Sequence, residues 1–204
     1  MILKLIQPNF IFQKLYPNSL WRVKTSEKKV FLTFDDGPTP HITPWILDIL
    51  KTYHAKATFF CIGKNVAKHP AIYQTVIEAK QTVGNHSYSH LKGWEVENAN
   101  YYNDVAQAAQ LIDSKLFRPP YGKIKYRQAL HLSKKYRLVF WDVLTYDYDD
   151  HFSAEEIVTL VKKYTRNGSI ITFHDSVKAW PRLEIALPQV LDFLKQEGYE
   201  MAAL

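Results

Sequence analysis

Apolar positions along the chain follow two alternating periods. Short runs rich in β-branched and aromatic residues predict strands at Val30–Asp35, Ala57–Cys61, Thr82–Asn85, Leu116–Arg118, Leu138–Val143, Ser169–Phe173 and Tyr199–Ala202. Between them the spacing becomes helical. Thr43 is placed to cap a helix with the apolar face Trp45, Ile46, Ile49 and Leu50, and Pro44 falls in its first turn, where a missing N–H costs nothing. Ala71–Lys80 reads as a helix after Pro70, and Val105, Ala108, Ala109 and Ile112 mark another within Glu95–Ser114. Ser153 with Glu156 forms a capping-box signature ahead of Ile157, Leu160 and Val161. Leu183–Gln196 closes the series, with Gly198 as its stop. Strands alternating with helices imply a parallel sheet with right-handed crossovers, as an open doubly wound sheet or a closed or nearly closed barrel. No repeat, low-complexity stretch or linker interrupts the pattern, so one domain is expected.

Composition narrows the class. The chain has 204 residues, 47% apolar and 23% charged, a balance that argues against disorder, collagen or a membrane bundle. A domain of this length buries roughly 70% of its unfolded surface without staples. Cys61 is the sole cysteine, which excludes an internal disulfide and a cysteine-based zinc cage. The net charge is +6, but eight basic residues and no acidic one lie between Lys115 and Arg137, leaving 18 basic against 20 acidic residues elsewhere. A solvated loop and helix explain the run better than nucleic acid does, because no zinc finger or aromatic RNP pattern accompanies it. Lys4, Pro8, Asn9, Gln13 and Pro17 interrupt the N-terminal apolar residues, so no secretory core of about 7–15 residues forms. Nor does any stretch approach the ~20 residues of a membrane span. A soluble chain, cytoplasmic on these grounds, is the expectation.

Chemistry-capable residues gather at strand ends. Val30–Phe34 runs into Asp35-Asp36-Gly37-Pro38, the third strand into Asn85-His86-Ser87-Tyr88-Ser89-His90, and the fourth into Arg118-Pro119-Pro120-Tyr121-Gly122. The fifth leads through Trp141 and Asp142 to Asp147, and the sixth ends at His174-Asp175. In a parallel barrel these ends share one rim, where active sites sit. His86 and His90 are four apart, so a helical turn would put both imidazoles on one face. With a carboxylate from Asp35 or Asp36 they make a two-histidine, one-aspartate set, the pattern of a catalytic zinc site with an open position. The other aspartate could accept a proton from water, and His174 could protonate a leaving group. That combination suits metal-assisted hydrolysis of an acyl or related bond.

These motifs resemble the NodB-type polysaccharide deacetylases, carbohydrate esterase family four, over roughly Val30–Ala202. The family's T-F-D-D-G-P stands as Thr33–Pro38, its H-[ST]-x-x-H as His86–His90 and its R-x-P-Y as Arg118–Tyr121. The resemblance implies a distorted (β/α) barrel of seven or eight strands, with 29–204 as the catalytic domain and 1–28 as an extension packed on it. It makes Asp35 the general base, Asp36, His86 and His90 the metal ligands, and Arg118 the partner that orients the base. The Tyr121 N–H becomes the oxyanion donor, His174 the general acid and Asp147 the carboxylate holding it, with Trp141 as a groove wall. The implied cofactor is a divalent metal, zinc first, with cobalt or another ion as alternatives. The implied partner is an N-acetylated glycan, chitin oligomer or peptidoglycan, and family relatives often act outside the cytoplasm.

Two positions depart from the pattern. Thr172 stands where the family usually has a leucine lining the acetyl-methyl pocket, and Tyr148 where it usually has tryptophan. Both bear on substrate packing, so O-acetyl ester hydrolysis on xylan-type glycans is the alternative activity. A silent glycan-binding module is the alternative from another class, opposed by the joint presence of base, acid and ligands. Asp149 rivals Asp147 within Tyr146–Asp150. His41, His54, His69, His131 and His151 are expected in surface or helix roles, and Cys61 buried and inert. Trp94, Trp141, Tyr148 and Trp180 lie near the motif loops as candidates for stacking on sugar faces.

Overall fold

A computed structural model describes residues 7–8 and 10–204. Residues 1–6 and 9 lie outside the described residues, and with them part of the expected N-terminal extension. After a short helix α1 (Phe10–Leu15), the chain forms β1 (Lys29–Asp35), α2 (Ile42–Thr52), β2 (Ala57–Cys61), α3 (Gly63–Lys68), α4 (Pro70–Glu78) and β3 (Thr82–Asn85). Then come α5 (Asn98–Ala108), β4 (Leu116–Phe117), α6 (Tyr126–Leu132), β5 (Arg137–Leu138) and β6 (Val143–Leu144). The chain closes with α7 (Ala154–Tyr164), β7 (Ile170–His174), α8 (Trp180–Gln196) and β8 (Glu200–Ala202). The strands are ordered β5-β4-β3-β2-β1-β7-β6, with β8 beside the start of β1. Every named pairing is parallel. The result is the expected distorted α/β barrel.

Strand periodicity sorts the side chains into two layers. Leu32, Phe34, Phe59, Ile171 and Phe173 point outward into a core shared with Ile46, Leu50, Leu187 and Val190 of the helices. Phe31, Phe60, Val139 and Ile170 form a smaller cluster on the other face. Successive side chains alternate, so Thr33 and Asp35 share the face of Phe31, and Thr172 and His174 that of Ile170. The inner face therefore ends at the rim in an aspartate and a histidine, in register with each other.

The expected strand Leu138–Val143 is two strands at opposite edges of the sheet. Val139 N–H still donates to Phe117 O, but Phe140 N–H donates to Leu20 O and Asp142 N–H to Ile170 O. The segment leaves one edge and rejoins the other, crossing the gap that the β5-to-β6 order leaves open. Leu20 bridges Val139, Arg22 bridges Ser169, and Trp21 stacks on Phe140 at 4.1 Å, so the residues ahead of β1 help to close the barrel.

Helices differ from expectation mainly at their ends. His41, not Thr43, is the N-cap of α2; the Thr43 hydroxyl accepts from Thr39 N–H and donates to Asp175. Glu95–Ser114 narrows to α5 behind a 3₁₀ turn at Gly93–Glu95. The Ser153–Glu156 capping box forms at α7, and Gly198 follows α8 with φ 75°. The basic run contains α6, whose N-terminus is closed by Gln128 accepting from Lys125 N–H. Its seven residues carry too few apolar positions to show a period, and α3 is shorter still. Among the described residues no helix is long and apolar enough to cross a membrane.

Candidate active site

Asp35 is buried at the end of β1, and its Oδ1 accepts from Arg118 Nη1 at 2.7 Å. Arg118 is fully buried after β4. It also donates to Thr33 Oγ1 at 2.8 Å, to Phe140 O at 2.8 Å and to Val139 O at 3.4 Å, while its guanidinium lies 4.2 Å from the Phe60 ring. The two carbonyls belong to the crossing segment, where leaving the sheet frees them to accept. Burial lowers the Arg118 pKa and Asp35 raises it again, with the first effect larger. A cation this deep holds its place through its hydrogen bonds.

The next residue, Asp36, turns the chain with φ 86°. Its loop is fixed by Asp175, the residue after His174, which sequence reasoning used only as a marker. Asp175 Oδ1 accepts from Gly37 N–H at 2.8 Å and Oδ2 from the Thr43 hydroxyl at 2.6 Å. A Cβ on Gly37 would fall 1.8 Å from Oδ2, so only glycine allows this approach. Burial, with the Asp36 charge adding to it, lifts Asp175 to about 8 against the donors that favour its charged form.

His86 and His90 meet through an irregular loop, not the helical turn their spacing suggested. Ser87 and His90 both have left-handed backbones, φ 62° and 56°. Asn85 Oδ1 accepts from Ser87 N–H, and Asp104 of α5 accepts from the N–H groups of Tyr88 and Ser89 at 2.9–3.1 Å. Asp104 is thus a positioning residue that the motif spacing did not disclose. His86 Nδ1 lies 2.7 Å from Arg118 O. A carbonyl can only accept, so Nδ1 carries the hydrogen and Nε2 keeps its lone pair. Burial outweighs the pull of Asp35 and lowers His86 to about 4, which keeps the ring neutral.

Nε2 of His90 and of His86 lie 3.2 and 3.8 Å from Asp36 Oδ1. Neither approach has hydrogen-bond geometry, and Oδ1 is buried without a donor. Burial raises the Asp36 pKa, but His90, His174 and His86 hold it well below the usual carboxylate range. One anionic oxygen and two imidazole nitrogens, all within 4.8 Å of one another, fit a divalent ion with a position left open.

Across the cleft, Asp147 is fully buried behind His174. Its Oδ1 lies 2.7 Å from His174 Nδ1, and its Oδ2 accepts the His174 backbone N–H at 2.7 Å. Asp149 instead meets the exposed His151, so the rivalry between the two aspartates falls to Asp147. Burial pulls the His174 imidazole down, yet Asp147, followed by Asp36 and Asp35, carries it up to about 9. Tyr148 packs edge-on against His174 at 4.7 Å.

A cavity of about 940 Å³ joins these groups, and Tyr121, Trp141 and Tyr148 line it. Tyr121 has φ 58°, and its N–H has no backbone acceptor among the described residues. Thr172 is not on the wall. It lies one layer below His174 on the inner face, fully buried, with Oγ1 3.0 Å from Thr33 Oγ1. Leu144, its register partner on β6, does line the cavity, as do Ile62 and Val177. His69 is the N-cap of α4, the helix role expected for it, and also lines the cavity, and Trp180 packs edge-on against Trp45. Cys61 is buried, and burial pushes its thiol pKa up.

The same architecture recurs in known proteins. A model of the polysaccharide deacetylase family matches residues 22–141. A peptidoglycan-N-acetylglucosamine deacetylase of Bacillus cereus is 33% identical over 193 residues, 90% of this chain and 90% of its own. A solved peptidoglycan N-acetylglucosamine deacetylase superposes with TM-score 0.89 at 30% identity, covering 97% of this chain and 95% of its own. A mutant of a carbohydrate esterase family four pseudoenzyme from Bacillus anthracis, with restored enzymatic activity, superposes at 0.82 and 25% identity over 97% and 73%. Motif order, barrel and sequence match agree, and the chain belongs to the polysaccharide deacetylase family, carbohydrate esterase family four.

Proposed function

We propose that this chain removes N-acetyl groups from N-acetylglucosamine-containing glycans, peptidoglycan or chitin oligomers, with Asp35 as base, His174 as acid and zinc on Asp36, His86 and His90. One observation carries the reading. A base locked by Arg118 and an acid locked by Asp147 face one cavity that also holds the three-ligand group. A bound divalent ion there supplies a more acidic water and positive charge beside the scissile carbonyl.

The protein's own residues do the rest. Arg118 occupies Asp35 Oδ1, which leaves Oδ2 to take the proton of the attacking water. Tyr121 N–H donates to the carbonyl oxygen as its charge grows, a contribution often worth ~3 kcal/mol. Asp147 holds Nδ1 of His174, so Nε2 delivers its proton to the departing sugar amine. Trp141 and Tyr148 bound the sugar site, and Leu144 gives it an aliphatic patch suited to the acetyl methyl. An amide needs a protonated leaving group more than an ester does, and the raised His174 supplies one at neutral pH. The similar Bacillus cereus protein, named a peptidoglycan-N-acetylglucosamine deacetylase, points the same way. One protein of similar structure is a family pseudoenzyme whose mutant has restored activity, so turnover rests on the catalytic set being present.

The test is acetate release from chitooligosaccharides, peptidoglycan fragments and acetylated xylan, with zinc or cobalt added. Release from an N-acetylated substrate is expected. Release from xylan alone would transfer the reading to O-acetyl esters, and tight glycan binding without any release would make the chain a binding module.

A further inference from the structure

The catalytic groups leave part of the charge around the cleft unexplained. Apart from Asp35, Asp36 and the histidines, the charged side chains on the cavity wall are Lys68, Lys123 and Lys178. All are cations, and none pairs with a carboxylate among the described residues. Lys68 ends α3 behind β2, Lys123 follows the 3₁₀ turn Pro120–Gly122 behind β4, and Lys178 lies between β7 and α8. Those strands are spread along the sheet, so the lysines flank the cleft from separate segments and do not share one patch.

Like charges facing one cleft repel, and low-dielectric walls concentrate their field within it. Inside the site, Asp35 is matched by Arg118 and Asp147 by His174, so neither pair offsets the lysines. Lys123 Nζ also lies over the ring of the half-exposed Trp94, 5.6 Å from its centroid, a contact that helps to hold the ammonium in place. Separate ammonium groups, with no arginine on the cavity wall, suit spaced single charges better than a doubly charged phosphate. The basic run contributes only Lys123 to the wall; Lys125 Nζ donates to Val96 O.

The geometry points to a carboxylate-reading collar: Lys68, Lys123 and Lys178 bind carboxylates on the sugars flanking the acetylated one, so this cleft takes acidic glycan strands ahead of neutral ones. This rests on the deacetylase reading of the same cavity.

The experiment compares a tetrasaccharide of alternating N-acetylglucosamine and N-acetylmuramic acid, lactyl carboxylates free, with the same molecule after their conversion to neutral amides. At low salt the free acid is expected to have kcat/KM about 10-fold higher. The ratio should shrink as salt is raised to about 0.3 M and fall to near 1 in K68Q/K123Q/K178Q. Equal turnover of acid and amide, or a ratio that survives the triple substitution, overturns the collar. Calorimetric binding of both molecules to the Asp35→Asn protein reads the same preference without turnover. If no acetate is released from either substrate but the acid still binds more tightly, the deacetylase reading fails and the collar stands. If both bind equally, the collar fails whatever the turnover.

Discussion

His174 shows how one contact decides a residue's work. Both oxygens of Asp147 are committed to it, one at the ring and one at its backbone N–H, and its pKa is carried up to about 9. In the proposed mechanism the protonated form is the donor, so turnover should persist through neutral pH and fall as pH rises through that region. Stability follows the same sign. The folded pKa lies above the unfolded one, so the stabilisation is complete below about pH 6.5 and lost as pH rises through the folded value. Asp147→Asn removes the charge that lifts the ring, and the alkaline limb of kcat should shift down by about 1 unit or more. A pH–rate profile whose alkaline limb stays in place would contradict this assignment. The residues proposed as acid, base and ligands could be picked out as one rim set because each stands at a strand end within an ordered motif. The choice between Asp147 and Asp149 was not, since only the loop's path decides which of two nearby carboxylates turns inward. Thr172 was misplaced for a related reason. Strand alternation puts it on the same face as His174, but depth along the barrel axis, which sequence does not show, keeps it below the cavity.

At the scale of elements, the informative part is the loop that brings His86 and His90 together. A four-residue spacing suggested a helical turn, yet two left-handed residues and three N–H bonds to Asp104 form the loop. Glycine, Asn, Asp and His are the residues most often found at positive φ; Ser87 is none of these, and His90 fits a helical turn equally well, so neither marked the loop. Among the described residues, five of the eight non-glycine residues with positive φ (Asp36, Ser87, His90, Tyr121 and Tyr146) are in the motif loops or on the cavity wall. Strain of that kind costs of order 1–3 kcal/mol per residue and persists only where neighbours hold it. Asp104→Ala frees the loop without touching a ligand, so metal affinity should fall about 10-fold while helical circular dichroism is retained. Metal titration giving an unchanged affinity would show that the loop holds its shape without α5. The capping box of α7 was legible for the opposite reason: both partners lie within one turn of sequence.

The whole molecule meets at Arg118. Its side chain joins its own strand end to β1 through Asp35 and Thr33, and to the crossing segment through Val139 and Phe140. The residue proposed to orient the base therefore also ties the barrel where the sheet is open. Arg118→Met should cost about 3 kcal/mol in denaturant unfolding, because it leaves the Asp35 carboxylate buried and unpaired. Adding Asp35→Asn should recover part of that loss, and a double variant no more stable than the single one would contradict the coupling. The parallel barrel itself was readable from alternating strands and helices. Its closure was not, because a continuous apolar run cannot reveal that Leu138–Val143 changes edges midway. The central claim divides two adjacent carboxylates between different tasks, and one paired measurement tests it most directly: metal content and acetate release for Asp35→Asn and His86→Ala. Asp35→Asn should keep its metal and lose turnover by about 10³-fold, whereas His86→Ala should lose the metal itself. Full acetate release by the Asp35→Asn protein, or its failure to bind metal, would contradict the account.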